Sequence, residues 1–264
     1  MKARLRTGLR RLAWGGAGAA AMAFFLYPFL GLLTPVGPWQ WNAGVPGSTA
    51  AAVRVSLGLT GLAMLIVIAA GTPLAWQLSR QQGWRRWLWE APVLLSMLLP
   101  PLALGLLLAL SLGPGSGLGR MLLRLGLETS NSRLAFVVTQ IYVSLGYYVI
   151  AARAAFAGLD SEWETTAALL GQNHWQTFRR VTLPLARLGL AAALSLAWVR
   201  ALGEFGAIVI TAYYPSGMPV QLWINLQDSG LPGVMPLLVL FLLIALPLPW
   251  AAQILAARRA APRS

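Results

Sequence analysis

Apolar residues occupy the chain in long blocks, separated by short polar or Pro/Gly-rich stretches. Residues 12–33 form an uncharged run of 22 residues. At about 1.5 Å per residue such a helix reaches about 33 Å, enough to cross a bilayer. Further blocks predict helices over about 49–79, 88–111, 133–156, 183–212 and 234–257. The expectation is an all-α, polytopic membrane protein with six transmembrane helices. A signal peptide would have a shorter apolar core and a small-residue cleavage site. The first run instead ends in Leu32-Leu33-Thr34-Pro35, which reads as an uncleaved helix.

The stretches between these blocks are punctuated by turn residues. Residues 35–47 form a Pro/Gly/Trp loop whose Trp39 and Trp41 suit a membrane interface. Residues 112–132 are glycine-rich, with a break at Gly113-Pro114-Gly115. Residues 213–233 read as another loop. Pro100 and Pro101 fall inside the third block, where a bundle tolerates them as a kink. Organisation follows: 1–48 comprise a tail, the first helix and a loop; 49–257 a helical core; 258–264 a basic tail.

Composition agrees with the membrane reading. Of 264 residues 58% are hydrophobic and 10% charged, and mean hydropathy is +0.67; soluble domains carry about 25% charged residues. With no cysteine and one histidine, His174, disulfides, thiolate chemistry and His-rich metal sites are excluded. The net charge of +13 could point to nucleic acid, but the distribution of basic residues explains it better. With the N-terminus inside, 15 of the 20 fall on cytoplasmic segments: Lys2, Arg4, Arg6, Arg10 and Arg11; Arg80, Arg85 and Arg86; Arg153, Arg179, Arg180 and Arg187; Arg258, Arg259 and Arg263. Only Arg120, Arg124 and Arg133 fall outside, and Arg54 and Arg200 lie in or at the edge of helices. This asymmetry orients the chain with both termini cytoplasmic, a cell-membrane protein without a nucleic-acid partner.

Residues 157–184 form the longest polar segment. It opens with Asp160, Glu162 and Glu164 and closes with Arg179 and Arg180, the order that helix dipoles favour. Trp163, Ala167, Leu170 and His174 share a helical face by spacing. Gly171 interrupts the pattern, and Pro184 suits the start of the next helix. The prediction is a short helix, a turn and a second short helix on the cytoplasmic surface.

The fifth helix carries Arg200-Ala201-Leu202-Gly203-Glu204-Phe205-Gly206. Arg200 and Glu204, four residues apart, can pair on one helix face. Burying either charge alone in the bilayer costs at least about 2.5 kcal/mol, so intramembrane charges face a bundle interior or a water-filled path. Gly203 and Gly206 permit close helix approach. Two readings remain: a structural ion pair, or charges on a translocation path.

The polar segment resembles the EAA loop of ABC importer permeases. The family pattern is Glu-Ala-Ala, three residues, Gly, then a run ending in an apolar residue, any residue, Leu and Pro. Gly171 and Pro184 are 13 positions apart as in the family, and Phe178, Val181 and Leu183 fall in place. The departure lies at the front, where Thr165, Thr166 and Ala167 occupy the Glu-Ala-Ala positions and Glu164 stands one residue earlier. The fifth-helix run is similar to the signature of permeases that import molybdate, tungstate or, with variations, sulfate. Leu99-Pro100-Pro101 with Gly105, the 113–119 stretch, the 214–223 loop and Gly230 also fit; Ile208 departs from a common Thr.

This resemblance implies a type I ABC importer transmembrane domain over 49–257. Glu164, Thr165, Ala167, Gly171, Phe178 and Pro184 would belong to the ATPase-coupling loop. Arg200, Gly203, Glu204 and Gly206 would lie on the path or its gate. It further implies a homodimer in membrane lipid, a cytoplasmic ABC ATPase dimer and an extracytoplasmic substrate-binding protein. The chain has no G-x-x-x-x-G-K phosphate loop, and its only lysine is Lys2. No cofactor is therefore expected on this chain; ATP and Mg belong to the ATPase, and the chain is not expected to be an enzyme. Weaker alternatives are a sulfate or other solute permease, an ATPase-independent transporter and an intramembrane enzyme.

Overall fold

The structure is a computed structural model that describes residues 2–34, 37–41 and 47–260, with side chains described within 14–252 and at 254. The side chains of the basic head and basic tail, and part of the 35–47 loop, lie outside the described residues.

Each long apolar block is helical, and the described residues contain no strand. After α1 (Lys2–Leu26) and a 3-10 turn (Tyr27–Leu33), the chain forms α2 (Ser48–Arg80), α3 (Gly83–Leu98), α4 (Pro101–Leu112), α5 (Gly117–Arg124) and α6 (Arg133–Ala157). It continues with α7 (Glu162–Leu169), α8 (His174–Thr177), α9 (Leu183–Leu202), α10 (Ile208–Thr211), α11 (Met218–Ala245) and α12 (Pro247–Ala260). Among the described residues five helical stretches are long and apolar enough to span, and the bent α3–α4 pair makes a sixth if it counts as one span.

The centre of the bundle is α2, α6 and α9. Along α2 the buried positions Ala52, Ser56, Thr60, Ala63, Val67, Gly71, Ala75 and Leu78 recur at helical spacing. Ser56 and Phe136 lie at one level beside Gly217, and the Thr72 hydroxyl bonds Tyr148 Oη at 2.7 Å, so α2 and α6 run parallel. Gly189 of α9 packs on Ala155, and Gln140 Nε2 donates to the Ala201 carbonyl at 3.2 Å, so α9 runs antiparallel. The bundle thus has an Arg80 end and an Arg133 end.

The third span is not the single kinked helix expected from the sequence. Its halves, α3 and α4, are bent by 112°. The residue before a proline is pushed out of the α region; Leu99 and Pro100, with ψ of 132° and 138°, both precede one. Pro101 then restarts the helix at its first turn, where its missing N–H is harmless. The bent pair still crosses the bundle: Glu90 meets Arg153 near the Arg80 end, and Leu112 accepts from Thr129 near the Arg133 end.

Two further expectations are corrected. The fifth helix does not run to residue 212; α9 ends at Leu202, and α10 follows a break at 203–207. Residues 213–233 are not all loop, because α11 begins at Met218. Gly230, at φ 63° and ψ −156°, divides α11, a conformation that glycine adopts without a Cβ clash. Its first part lies at the Arg133 end: Met218 N–H donates to Ser56 Oγ at 2.8 Å, and Gln40 N–H to the Pro232 carbonyl at 2.9 Å.

Candidate functional site

Two polar constellations occupy opposite ends of one helix. His174–Leu202 is a continuous helical path of 29 residues, about 43 Å at 1.5 Å per residue. The polar segment 160–184 lies at its start and the charged pair at its finish.

The polar segment folds as a short helix and a turn, as its pattern predicts, but the second helix is the first turn of the His174–Leu202 path and not a separate surface helix. Asp160 Oδ1 accepts from Glu162 N–H at 3.0 Å at the entry to α7. Gly171, at φ +80°, ends α7: its N–H donates to Ala168 at 3.0 Å and that of Gln172 to Ala167 at 3.1 Å. This is a Schellman closure, whose left-handed position favours glycine. Asn173 and Gln176 then form a reciprocal capping box that starts α8.

Pro184 does not begin a separate helix but sits within the continuous path. Its ring excludes the carbonyl four residues back and it offers no N–H. The preceding turn, Phe178–Thr182, is correspondingly widened to π geometry, with Leu183 N–H donating to the Phe178 carbonyl.

The face read from Trp163, Ala167, Leu170 and His174 splits in space. Ala167 is buried at 5%, whereas Trp163, Leu170 and His174 are exposed. Leu169 and Trp175 are exposed as well, the leucine at 83%. Phe178 turns inward, its ring 4.9 Å from Trp76 and 6.2 Å from Phe156, and so fastens the segment to α2 and α6. Thr165 Oγ1 donates to the Ser161 carbonyl at 3.1 Å. Glu164 pairs with Arg80 at the end of α2 and accepts from Thr182 Oγ1 at 2.6 Å. In the sequence Arg80 shows only as a positive charge; the signal for this pair is an acidic helix start and a basic helix end on one membrane face.

At the other end, the helix break places each charge against a favourable terminus. Arg200 lies in the last turn of α9, where a cation complements the dipole. Glu204 accepts from Arg200 through one oxygen and from Ala207 N–H, at 2.7 Å, through the other. Its carboxylate therefore caps the short turn leading into α10. Glu204 is 1% exposed and the Arg200 side chain 24%. The Arg200 guanidinium also lies 5.6 Å above the Tyr147 ring, a partner that spacing within one helix could not reveal.

The break in the fifth span packs on the break in the third. A Cβ added at Gly206 would lie 2.8 Å from Pro101 Cβ, and one at Gly105 would lie 2.8 Å from Ala207 Cα. Gly203 has looser surroundings; its nearest neighbour would be the Val199 carbonyl oxygen at 3.2 Å. Behind this junction Thr139 and Thr211 hydroxyls bond at 2.7 Å. Non-helical backbone at membrane depth persists only where protein or water satisfies it, and here carboxylate, hydroxyl and close backbone packing do so.

Residues 64–261 match the family described as the binding-protein-dependent transport system inner membrane component. A probable molybdenum ABC transporter permease protein of Haloferax volcanii is 36% identical over 222 residues, 81% of each chain. A molybdate/tungstate transport system permease protein of Thermococcus kodakarensis is 27% identical over 195 residues, 74% of each chain. A chain of a bacterial alginate ABC transporter, solved with a periplasmic protein, superposes with a TM-score of 0.73 at 18% identity, covering 97% of this chain and 98% of that one. The broken spans and surface helices described above are thus the fold of an ABC importer transmembrane domain, and the chain belongs to the family of inner-membrane components of binding-protein-dependent transport systems.

Proposed function

We propose that this chain is the permease subunit of an ATP-driven importer of molybdate or tungstate. The similarity to molybdenum and molybdate/tungstate permeases supports the solute. The observation that carries the mechanism is the single helix His174–Leu202, which joins the polar surface segment to the charged break.

In this reading both termini are cytoplasmic, and the Arg80 end faces a cytoplasmic ABC ATPase dimer that holds ATP and Mg. The exposed Trp163, Leu169, Leu170 and Trp175 enter a groove on the ATPase. Glu164, Phe178 and the Gly171 turn hold that surface in place; Thr165, Ala167 and Pro184 shape its helices. ATPase closure pushes on the segment, and the helix carries the displacement to Gly203, Glu204 and Gly206, where the fifth span rests on the third. Two copies of the chain enclose the path, and a binding protein delivers the anion at the Arg133 end. Arg200 attracts the oxyanion, and Glu204 offsets the charge so that the anion is released. No bond of the solute is made or broken here, so the chain acts as a conduit and not as an enzyme.

Replacing both Leu169 and Leu170 by Ser tests this. The variant should insert and fold, because both residues are exposed, yet lose ATPase co-purification and ATP-driven molybdate uptake in liposomes. Full uptake would reject the coupling assignment. A Ser216→Cys variant tests the orientation in a chain without native cysteines; it should react with membrane-impermeant reagent from outside intact cells, and reaction only from the cytoplasmic side would invert the topology.

A further inference from the structure

We propose that Arg54 and Arg133 form an oxyanion-capture site at the outer end of the bundle, apart from the Arg200–Glu204 break. The inference rests on the orientation and solute class proposed above, and it concerns where a released anion first meets the permease.

A cavity of about 330 Å³ lies between the start of α2 and the start of α6, lined by Ala51, Arg54, Val55, Gly58, Leu59 and Arg133. Its only charged groups are the two guanidinium-bearing side chains. The ion pairs among the described residues use Arg80, Arg86, Arg153 and Arg200; within those residues neither Arg54 nor Arg133 has an acidic partner. Arg54 and Arg133 are both exposed on this open groove; two like charges on one groove repel, and a dianion between them removes that repulsion. Planar guanidinium forks match the oxygens of a tetrahedral anion.

The position of Arg133 sharpens the argument. It is the first residue of a 25-residue helix whose first turn contains no acid. The positive end of a helix dipole favours an anion there and disfavours a cation, so Arg133 does not serve the helix it begins. The cap is already supplied by Ser132 Oγ, which accepts from Ala135 N–H at 3.1 Å. An oxyanion beside Arg133 would gain from the guanidinium and the helix terminus together. A neighbouring cavity of about 420 Å³ also touches Arg133 but includes Glu128; its carboxylate repels an anion, which places the capture site on the Arg54 side. Arg54 is the seventh residue of α2, about 9 Å below the helix start at 1.5 Å per residue. The same tetrahedral chemistry occurs in the phosphate of an anionic lipid headgroup, so the test separates the two sources.

Gly58 provides a reporter, since it lines the cavity and a Cβ added there meets nothing within 4 Å. In Gly58→Cys the new thiol is the only one in the chain. The complex with its ATPase is placed in phosphatidylcholine nanodiscs and labelled with sulfonate-bearing, trimethylammonium-bearing and neutral methanethiosulfonates. The sulfonate reagent should react about tenfold faster than the cationic one, as expected where a cleft concentrates one sign of charge. Millimolar tungstate should slow it, and adding Arg54→Gln and Arg133→Gln together should abolish both the preference and the protection. The neutral reagent checks access and folding in every variant.

Equal rates for the two charged reagents, no reaction with the neutral one, or an unchanged preference in the double variant would overturn the site. Protection by added phosphatidylglycerol and not by tungstate would overturn the solute role and assign the cavity to lipid. Molybdate uptake by the unsubstituted complex in liposomes separates this inference from the one beneath it. Uptake without charge preference at position 58 refutes the capture site alone. Charge preference and tungstate protection without uptake refute the solute assignment and leave the site.

Discussion

The first span, Trp14–Leu33, and α6 are equally apolar by hydropathy and have opposite surroundings. None of the first span's most apolar window is buried, whereas over half of that of α6 is. Trp14, Phe24 and Phe25 stand exposed, while Phe136, Tyr148, Val149 and Phe156 of α6 are enclosed. The difference lies in what accompanies the apolar residues. α6 carries Thr139 and Gln140 on its inner side, which bond the Thr211 hydroxyl and the Ala201 carbonyl of other segments, whereas Ser144 bonds back to Gln140 within α6. It also meets close neighbours at Gly146 and, through Ala155, at Gly189. In a bilayer, leucine gains little by leaving lipid for protein, so close packing and polar contacts draw helices together. Hydropathy alone places a helix in the membrane; small and polar residues place it in the bundle.

The largest test of that contrast is Gly189→Leu set against Gly16→Leu. A Cβ at 189 would lie 2.3 Å from Ala155 Cβ, whereas one at 16 meets nothing within 4 Å. Overpacking at 189 should cost about 3 kcal/mol and abolish monodisperse extraction in detergent. Gly16→Leu should leave the extracted subunit unchanged in gel filtration and thermal unfolding; equal loss in both variants would break the comparison.

Next in size is the charged break. Glu204→Leu strands Arg200 and removes the acceptor for Ala207 N–H. Removing one partner of a fully buried pair costs about 3–5 kcal/mol; the Arg200 side chain is 24% exposed, so the loss here should fall below the value of about 3 kcal/mol expected at Gly189. The double variant Arg200→Met/Glu204→Gln keeps an acceptor for Ala207 and should recover most of the thermal stability, while molybdate uptake stays low. Restored uptake would leave the pair a structural role only. Equal instability of the single and double variants would show that the carboxylate acts mainly as a cap.

The smallest stability effect is expected for Glu164→Gln. Its partner Arg80 is 37% exposed, and such pairs contribute about 1 kcal/mol or less. Thermal unfolding should barely move, while ATP hydrolysis per molybdate imported should rise as the coupling segment loosens. A melting shift as large as that of Glu204→Leu would place Arg80–Glu164 among the packing contacts of the core.

How legible each part was follows from how local its causes are. The helix–turn–helix of the polar segment was readable, because Gly171, Asn173 and Gln176 act on backbone within a few residues of themselves. The fifth-helix pair was readable as a pair, because four-residue spacing sets it. That Glu204 caps a new turn and that Arg200 rests on Tyr147 were not, since both depend on where the helix stops and which helix lies beside it. The partner of Glu164 was likewise hidden, 84 residues away along the chain.

The sequence by itself determined that this protein lives in a bilayer, how many times it can cross and which polar segment stands out, because transfer from water and helical hydrogen bonding are settled residue by residue. Pro100 and Pro101 located the bend in the third crossing, but tertiary structure decided its 112° size and the breaks at Gly203 and Gly230. Pro100 and Pro101, Gly203 and Gly230 each permit a break, but an exposed break would leave backbone groups unpaired in hydrocarbon. The Gly230 break is held within its own helix, by Asn225 donating to the Gly233 carbonyl at 2.9 Å; the other two survive through distant partners, Ala207 against Gly105 and Pro101 against Gly206. Such partners meet only after the helices have packed, so no stretch of sequence contains both halves of the reason.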